Sequence, residues 1–583
     1  MTLTVTPRRL PRRVAALAAV AVLATVSLTA CTDPGETEPS ATESETTDSE
    51  TTETAEPGTA GQGTVALTIA KPDGAITTES HNPFLGDSAA SKYSYGSVIF
   101  ERLALINPTG DLGTTPWLAE SVEWADDYTS VTVVPRAGVT WSDGTPFTGE
   151  DIIFTFGMLL DGSLTDTSGI NYTGYEQDGD AITLEFANSM YVRQPAVLHL
   201  PIVPKHIWEN IEDPDTTPLT DPGQVVGTGP YTLTNWSTES VTLTARTDWW
   251  GGELAVPTLH YISYGDNAAL TSALIAGDAD WAQAFIPQIQ TSFLAADPEH
   301  NLFWPASTTG AATLFMNLQT KPFNDVAFRE AIAYTLDRQA YVDIAREGAS
   351  EAIWSKTGLA DVLADEILPE FADEVFSVDV DKARQILTDA GYTWNGDDKL
   401  VDPDGEVVTF ALSVPAGWSD WNSEQAIIAQ EVGEGLGVDV TIDNPDWGGW
   451  DAARTEGTFQ AIIHWLESTG NAYGLYTSAM DTRWIVEDRA AFNFGRYDNP
   501  EVTAALDAYA NASSDADRQA ALEVMQTAFV TDIPVIPLGA HPLLGEFNTR
   551  NYVGWPDDAN PYASADPTQP GSVLVLQNLK VAD

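Results

Sequence analysis

The residues best suited to chemistry are tryptophans and tyrosines crowded between residues 416 and 476. Their rings offer flat apolar faces, which suit the C–H faces of sugar rings. Neighbouring Asp, Glu and Asn side chains can exchange hydrogen bonds with hydroxyl groups. Because the chain has 18 tryptophans, packing in the core is the competing interpretation for each of them. We predict ligand contacts at Trp418, Trp421, Trp447, Trp465, Glu467, Asn471 and Tyr473.

Other reactive side chains form no catalytic or metal-binding pattern. The seven histidines show no HxH or HxxxH spacing, and the single cysteine, Cys31, excludes an intrachain disulfide and cysteine-based metal or redox sites. No G-x-S-x-G elbow is present, and the acids between residues 397 and 406 lack calcium-loop periodicity. We therefore predict no catalytic residue, no metal site and no cofactor.

The N-terminus has the layout of an export signal. Four arginines at positions 8, 9, 12 and 13 precede a short apolar run at residues 14–26, and Leu-Thr-Ala-Cys follows at residues 28–31. The Leu-x-Ala-Cys ending resembles a bacterial lipobox, which implies a lipoprotein signal peptide at residues 1–30 and a lipidated Cys31. The protein would then be secreted and anchored to the outer face of the cell membrane. An ordinary signal peptide that contains a cysteine is the alternative, and export by the Sec or the twin-arginine route stays open.

Length, charge and composition limit the remaining possibilities. After Cys31, an acidic linker of Thr, Glu, Ser, Pro and Gly without Lys or Arg extends to residue 63 and has too little apolar surface to fold. The 583-residue chain has 43% hydrophobic residues, enough for two or three lobes. Its formal net charge of −59 repels phosphate backbones, so we expect no nucleic-acid partner.

From residue 64 onward, short strands and ordinary helices alternate. The turn at residues 142–146 leads to Thr148, a predicted N-cap for a helix from Gly149 to about residue 160. A second helix is predicted over residues 267–276 with Gly277 as its stop. A third, over about residues 423–434, follows the aromatic GWSDW segment and precedes a strand at residues 438–442.

Several blocks, in order, resemble family 5 extracytoplasmic solute-binding proteins, the oligopeptide and oligosaccharide receptors of ABC importers. They are WSDGTPFTGEDIIFTF at 141–156, PIVPKHIW at 201–208, GTGPYTL at 227–233, GDADW at 277–281 and LFMN at 314–317, the last preceding an Arg-bearing helix. The resemblance extends from about residue 64 to 583. It implies that Asn82, in the turn HNPF, lies near the ligand, and we add Asn317 at the end of LFMN.

Two segments look more like the oligosaccharide branch, which binds cello- or other β-linked oligosaccharides. These are GWSDW at 417–421 and Gly-Trp-Pro at 554–556, and the latter adds Trp555 to the expected contacts. Dipeptide receptors place a carboxylate, generally Asp, shortly after the equivalent of Trp465, where this chain has Glu467. An oligopeptide or dipeptide ligand therefore stays the alternative.

The resemblance implies an α/β, bilobed periplasmic-binding-protein-like fold of type II, from the large three-domain cluster. We expect chain crossovers between the lobes near residues 290–300 and 535–545. The expected solute-binding domain covers residues 64–583, with a discontinuous lobe I (about 64–100, 221–295 and 541–583), an extra domain II (about 101–220) and lobe III (about 296–540).

The implied activity is capture of a small-molecule oligosaccharide or oligopeptide by hinge closure, without bond-making chemistry. A monomer would deliver it to ABC permease and ATPase subunits. A secreted glycoside hydrolase is the rival, because tryptophans and a pair of carboxylates also describe such active sites. With 85 acidic residues, counting does not exclude a pair; the ordered family blocks oppose the hydrolase.

Overall fold

The computed structural model describes residues 63–583, apart from residues 73, 109–112, 467–469, 487 and 513. The predicted signal peptide, the lipidated Cys31, nearly all of the acidic linker and Glu467 lie outside the described residues. Among the described helices, none is long and apolar enough to cross a membrane.

The described residues form three larger sheets, and we give the names lobe I, domain II and lobe III to the parts built on the seven-, four- and five-stranded sheet, respectively. The seven-stranded sheet of lobe I is mixed. The strand Leu67–Lys71 pairs in parallel with Thr258–Ser263 on one side and with Trp281–Ala282 on the other. In spatial order the strands are Asn301–Phe303, Glu546–Asn548, Trp281–Ala282, Leu67–Lys71, Thr258–Ser263, Ser240–Ala245 and Tyr231–Trp236.

Domain II is built on an antiparallel four-stranded sheet, in the order Ala119–Trp124, Ser130–Pro135, Ala181–Phe186, Tyr172–Asp178. The helix Gly149–Asp161 packs near this sheet. Its N-cap Thr148 forms a capping box with Asp151, and Gly162 ends it at φ 78°, which confirms the predicted start and stop within two residues.

Lobe III is built on a five-stranded sheet and carries most of the long helices. The helix predicted over residues 423–434 is longer in the structure, where it extends from Ser419 to Leu436. In spatial order the strands are Asp439–Asp443, Thr409–Ser413, Ala461–Leu466, Ala306–Met316 and Val535–Leu543.

The remaining elements surround these sheets. The helices of lobe I and domain II, besides Gly149–Asp161, are Ala89–Lys92, Gly96–Ile99, Gln194–Leu198, Lys205–Trp208, Asn267–Ala276, Phe293–Ala296 and Ser572–Asn578. Those of lobe III are Val326–Thr335, Arg338–Ala340, Val380–Asp389, Ser419–Leu436, Trp447–Glu456, Ala472–Met480, Pro500–Ala510 and Asp515–Asp532. Short 3-10 and π turns are Tyr191–Arg193, Pro222–Gln224, Tyr341–Ala345, Asp361–Glu366, Pro369–Phe371 and Thr482–Trp484. Two-stranded ribbons pair Ala104–Ile106 with Thr114–Pro116, Thr393–Trp394 with Leu400–Val401, Ile485–Val486 with Arg489–Ala490, and Tyr552–Val553 with Lys580–Val581.

Lobe I and domain II share one hydrophobic core, lobe I has a second, smaller core around the helix Asn267–Ala276, and lobe III has its own core. The buried carboxylate of Glu101 joins the first two, because it accepts hydrogen bonds from the indole N–H groups of Trp117 (2.8 Å), Trp249 (3.2 Å) and Trp250 (2.9 Å). Burial raises the pKa of Glu101 to about 7, opposed by these hydrogen bonds. The separation of the lobe III core from the cores of lobe I and domain II explains why the molecule is bilobed.

The chain passes between the lobes twice, at residues 304–305 and 544–545. The first crossover lies later than the expected 290–300, because the strand Asn301–Phe303 still pairs with Glu546–Asn548 in lobe I. The two crossovers are bonded to each other: Trp304 N donates to Gly545 O at 2.9 Å. A pair of adjacent crossovers is the arrangement that a hinge requires.

Candidate ligand-binding site

The edge of the lobe III sheet that faces the crossovers carries four of the predicted contacts, which are Trp418, Trp421, Trp447 and Trp465. The strands Thr409–Ser413, Asp439–Asp443 and Ala461–Leu466 run parallel, and Val535–Leu543 runs the same way because both it and Ala461–Leu466 are antiparallel to Ala306–Met316. All four therefore end at the edge where the chain leaves for lobe I. Ligands of open α/β sheets bind outside the carboxyl ends of the strands.

Two loops at this edge bring Trp418 and Trp447 together. Ala416 N donates to Pro445 O at 2.9 Å, and Asn444 Nδ2 donates to Val414 O at 3.2 Å, so the loops lie side by side. The indole rings of Trp418 and Trp447 then stack with centroids 5.1 Å apart and planes 20° apart. Trp447 is 44% exposed, so the pair presents a flat aromatic surface to solvent.

A second aromatic layer supports this surface from beneath. Trp421 packs edge-on to Trp418 at 4.7 Å, and fully buried Trp450 lies 5.3 Å from Trp447. Behind them, the ring of His464 stacks on Trp450 at 5.5 Å with planes 5° apart. Burial lowers the pKa of His464 to about 3, so the ring is neutral at physiological pH and the layer behaves as an apolar wall.

Trp465 continues the aromatic surface along the sheet edge. It is half-buried, and its ring lies 5.7 Å from Trp421 and 6.4 Å from His541 on Val535–Leu543, the next strand but one in the sheet. Burial lowers the pKa of His541 to about 3. Trp418, Trp447 and Trp465 are thus the predicted aromatic residues that retain accessible surface at this edge, and we call them the aromatic face.

A buried ion network holds the helix that follows Trp418. The guanidinium of Arg346 lies 2.7 Å from the carboxylate of Asp420 and 2.6 Å from that of Glu424. Burial raises the pKa of Glu424 to about 7, against the attraction of Arg346. This network was not predicted from the sequence, although two acids one helical turn apart are a pattern that predicts a shared partner on one helix face.

The other predicted contacts lie in structural positions. Trp555 is buried in lobe I, stacked on Phe547 at 4.7 Å and edge-on to Trp281 at 5.2 Å. Tyr473 is buried and stacks on Tyr509 at 5.5 Å. Their rings pack within the cores, the competing interpretation for each aromatic residue.

The three predicted asparagines bond to the main chain. Asn82 Nδ2 donates to Pro214 O (2.7 Å) and Thr217 O (2.8 Å), which ties a lobe I turn to domain II. Asn317 Nδ2 donates to two carbonyl groups, at 3.0 and 3.1 Å. Asn471 Oδ1 accepts from Gly474 N at 2.9 Å and caps the helix Ala472–Met480. Each amide thus positions backbone in this structure.

Within the described residues, no group of three or more His, Cys, Asp or Glu side chains is arranged to hold a metal ion.

Comparison with known proteins identifies the family. The sequence model of the bacterial extracellular solute-binding proteins, family 5 Middle, matches residues 113–484. Protein XP55 of Streptomyces lividans is 28% identical over 76% of this chain and 80% of its own length. The oligopeptide-binding protein OppA of Bacillus subtilis is 23% identical over 79% of this chain and 85% of its own length.

Solved structures show the same fold. The mannohexaose-bound periplasmic oligopeptide-binding protein of Thermotoga maritima is 23% identical, with a TM-score of 0.73 over 88% of this chain and 98% of that one. AppA of Bacillus subtilis, in complex with a nonapeptide, is 18% identical, with a TM-score of 0.69 over 90% of this chain and 100% of that one. Because the family model matches more than half of its length, at residues 113–484, the chain belongs to the family 5 bacterial extracellular solute-binding proteins.

Proposed function

We propose that this solute-binding protein of an ABC importer captures an oligosaccharide, of the cello- or another β-linked type, on the aromatic face of lobe III. The observation that carries the proposal is the parallel stack of Trp418 and Trp447, which presents a flat, partly exposed surface at the edge beside the crossovers. Aromatic surfaces of this size serve a ligand with broad apolar faces.

The aromatic face suits a ring-shaped, uncharged ligand. Its supporting wall is apolar, the nearby His464 and His541 are neutral at physiological pH, and the guanidinium of Arg346 is already paired with two carboxylates. A sugar would stack on the indoles and find polar partners at the rim. The mannohexaose-bound relative supports this reading, since a protein of the same fold holds an oligosaccharide.

Ligand capture would act through the hinge. A ligand that touches both lobes stabilises the closed form in proportion to its differential affinity for closed over open. The closed protein would then dock on the permease, whose ATPase subunits drive import, and it would break no bond in its cargo. We propose a monomer, exported and held at the outer face of the membrane by acyl chains on Cys31.

An oligopeptide is the second candidate. Relatives named as oligopeptide-binding proteins and the nonapeptide complex of AppA favour it. Glu467, two residues after Trp465, could bind a peptide ammonium group, but it lies outside the described residues.

A ligand panel separates the candidates. Purified protein is titrated with cellohexaose, mannohexaose and a mixture of tri- to pentapeptides, and binding is followed by tryptophan fluorescence and thermal shift. We expect saturable quenching and a higher melting temperature with an oligosaccharide. A response to peptides alone would overturn the sugar assignment, and release of shorter sugars from labelled cellohexaose would replace the receptor with a hydrolase.

A further inference from the structure

We propose that the domain II turn Tyr191–Arg193 is a clasp that docks on lobe III and holds the cleft closed independently of ligand. The ring of Tyr191 lies under the guanidinium of Arg518, whose central carbon is 4.1 Å from the ring centroid. The same ring meets Tyr509 at a centroid distance of 6.2 Å. Both partners belong to lobe III helices, so the contact joins two parts that have different hydrophobic cores.

The next residue, Val192, buries its side chain across the same boundary. It is 4% exposed and lies in the hydrophobic core of lobe III, whereas the other described buried hydrophobic residues of domain II lie in the core shared with lobe I. Moving domain II away from lobe III would expose this side chain to water, which is unfavourable. The turn therefore favours the docked arrangement through both a cation–π contact and apolar burial.

Both halves of the clasp are held in place by their own lobe. On the domain II side, Tyr128 packs edge-on to Tyr191 at 5.2 Å, and Met190 N donates to Tyr128 O at 2.8 Å. On the lobe III side, Arg518 donates to the carboxylate of Asp515 at 2.6 Å and, through Nη1, to a main-chain carbonyl at 3.0 Å. Two preformed surfaces can separate and dock again as rigid bodies with little further ordering cost.

The lobe III side of the clasp also contacts the helix that follows one strand of the candidate site. Tyr509 stacks on Tyr473 with planes 12° apart, and the helix Ala472–Met480 that carries Tyr473 follows the strand bearing Trp465. The crossovers at residues 304–305 and 544–545 tie the lobes covalently, while the clasp adds a breakable link. Opening the cleft about the crossovers would have to break it, so the clasp sets the balance between open and closed forms.

The test measures a distance in the ligand-free protein, so it does not depend on which ligand class binds. In a Cys31→Ser background, Asp178→Cys in domain II and Glu501→Cys in lobe III provide exposed positions for one spin label each. We expect a dominant short distance, and Tyr191→Ala should raise the ratio of long to short distances about tenfold. Arg518→Met, which keeps an apolar stem, should do the same to a smaller extent, and the double variant should show less than the product of the two effects.

Arg489→Met is the matched control, because this lobe III arginine pairs with Glu456 in its own lobe. Its distance distribution should equal that of the parent. The proposal is overturned if the parent is already mostly long, if the clasp variants keep its distribution, or if the control shifts as they do. Should Tyr191→Ala fail to fold by circular dichroism, Arg518→Met alone decides.

Discussion

The substitution Trp447→Ala tests the role of the aromatic face in binding with little effect on the rest of the fold. The side chain is 44% exposed, which for tryptophan is on the order of 100 Å². If a ligand covers half to all of that area, its burial at about 25 cal/mol per Å² contributes roughly 1–2.5 kcal/mol. The variant should therefore bind about 5- to 70-fold more weakly.

The same substitution should change stability little, because the exposed ring loses mainly its stacking on Trp418, about 0.5–1.5 kcal/mol. Two other tryptophans serve as controls. Trp450→Ala removes a fully buried ring and should lower the free energy of unfolding by about 3–5 kcal/mol. Trp236→Ala, on the outermost strand of the lobe I sheet, should leave affinity unchanged.

Isothermal titration calorimetry gives the dissociation constants, and urea unfolding gives the stabilities. Unaltered affinity of Trp447→Ala for the ligand that the wild-type protein binds would contradict this expectation. Equal weakening of binding by Trp236→Ala and Trp447→Ala would also contradict it, since the loss of affinity would then not be specific to the aromatic face.

Three further outcomes follow from particular groups. Burial raises the pKa of Glu431 to about 7, so the stability gained from its protonated form is full below about pH 4.5 and is lost as the pH rises towards 7. The Glu431→Gln variant should therefore have the wild-type melting temperature near pH 4 and a higher one near pH 7.5. Equal melting temperatures of variant and wild type at both pH values would contradict this. Arg346→Met leaves two buried carboxylates unpaired and should cost about 3–5 kcal/mol in urea unfolding; wild-type stability would show that the network is unimportant. Cys31→Ala should release the protein into the medium, and full membrane retention on fractionation would refute the anchor.

Local structure was predictable where local chemistry decides it. Thr148 caps its helix and Gly277 ends another at φ 79°, because side-chain capping and left-handed backbone are properties of a few adjacent residues. The family blocks likewise predicted a bilobed α/β fold, which the comparisons confirm.

The exposure of each tryptophan was not predictable, because it depends on residues distant in sequence. Trp447 and Trp555 both follow turn-forming segments, yet Trp555 is covered by Phe547 and Trp281 of the lobe I sheet. The pairing of Arg346 with the helix after Trp418, and the docking of Tyr191 on lobe III, are also long-range contacts. Sequence patterns report the face of an element and leave its partner undetermined.

A calorimetric titration of the wild-type protein with cellohexaose and mannohexaose, set against the peptide mixture, tests the central claim most directly. We predict a saturable heat of binding with 1:1 stoichiometry for at least one oligosaccharide and no heat of binding for the peptides. The affinity for that oligosaccharide should be lower in Trp447→Ala. Saturable binding of peptides with no heat from either sugar would contradict the account.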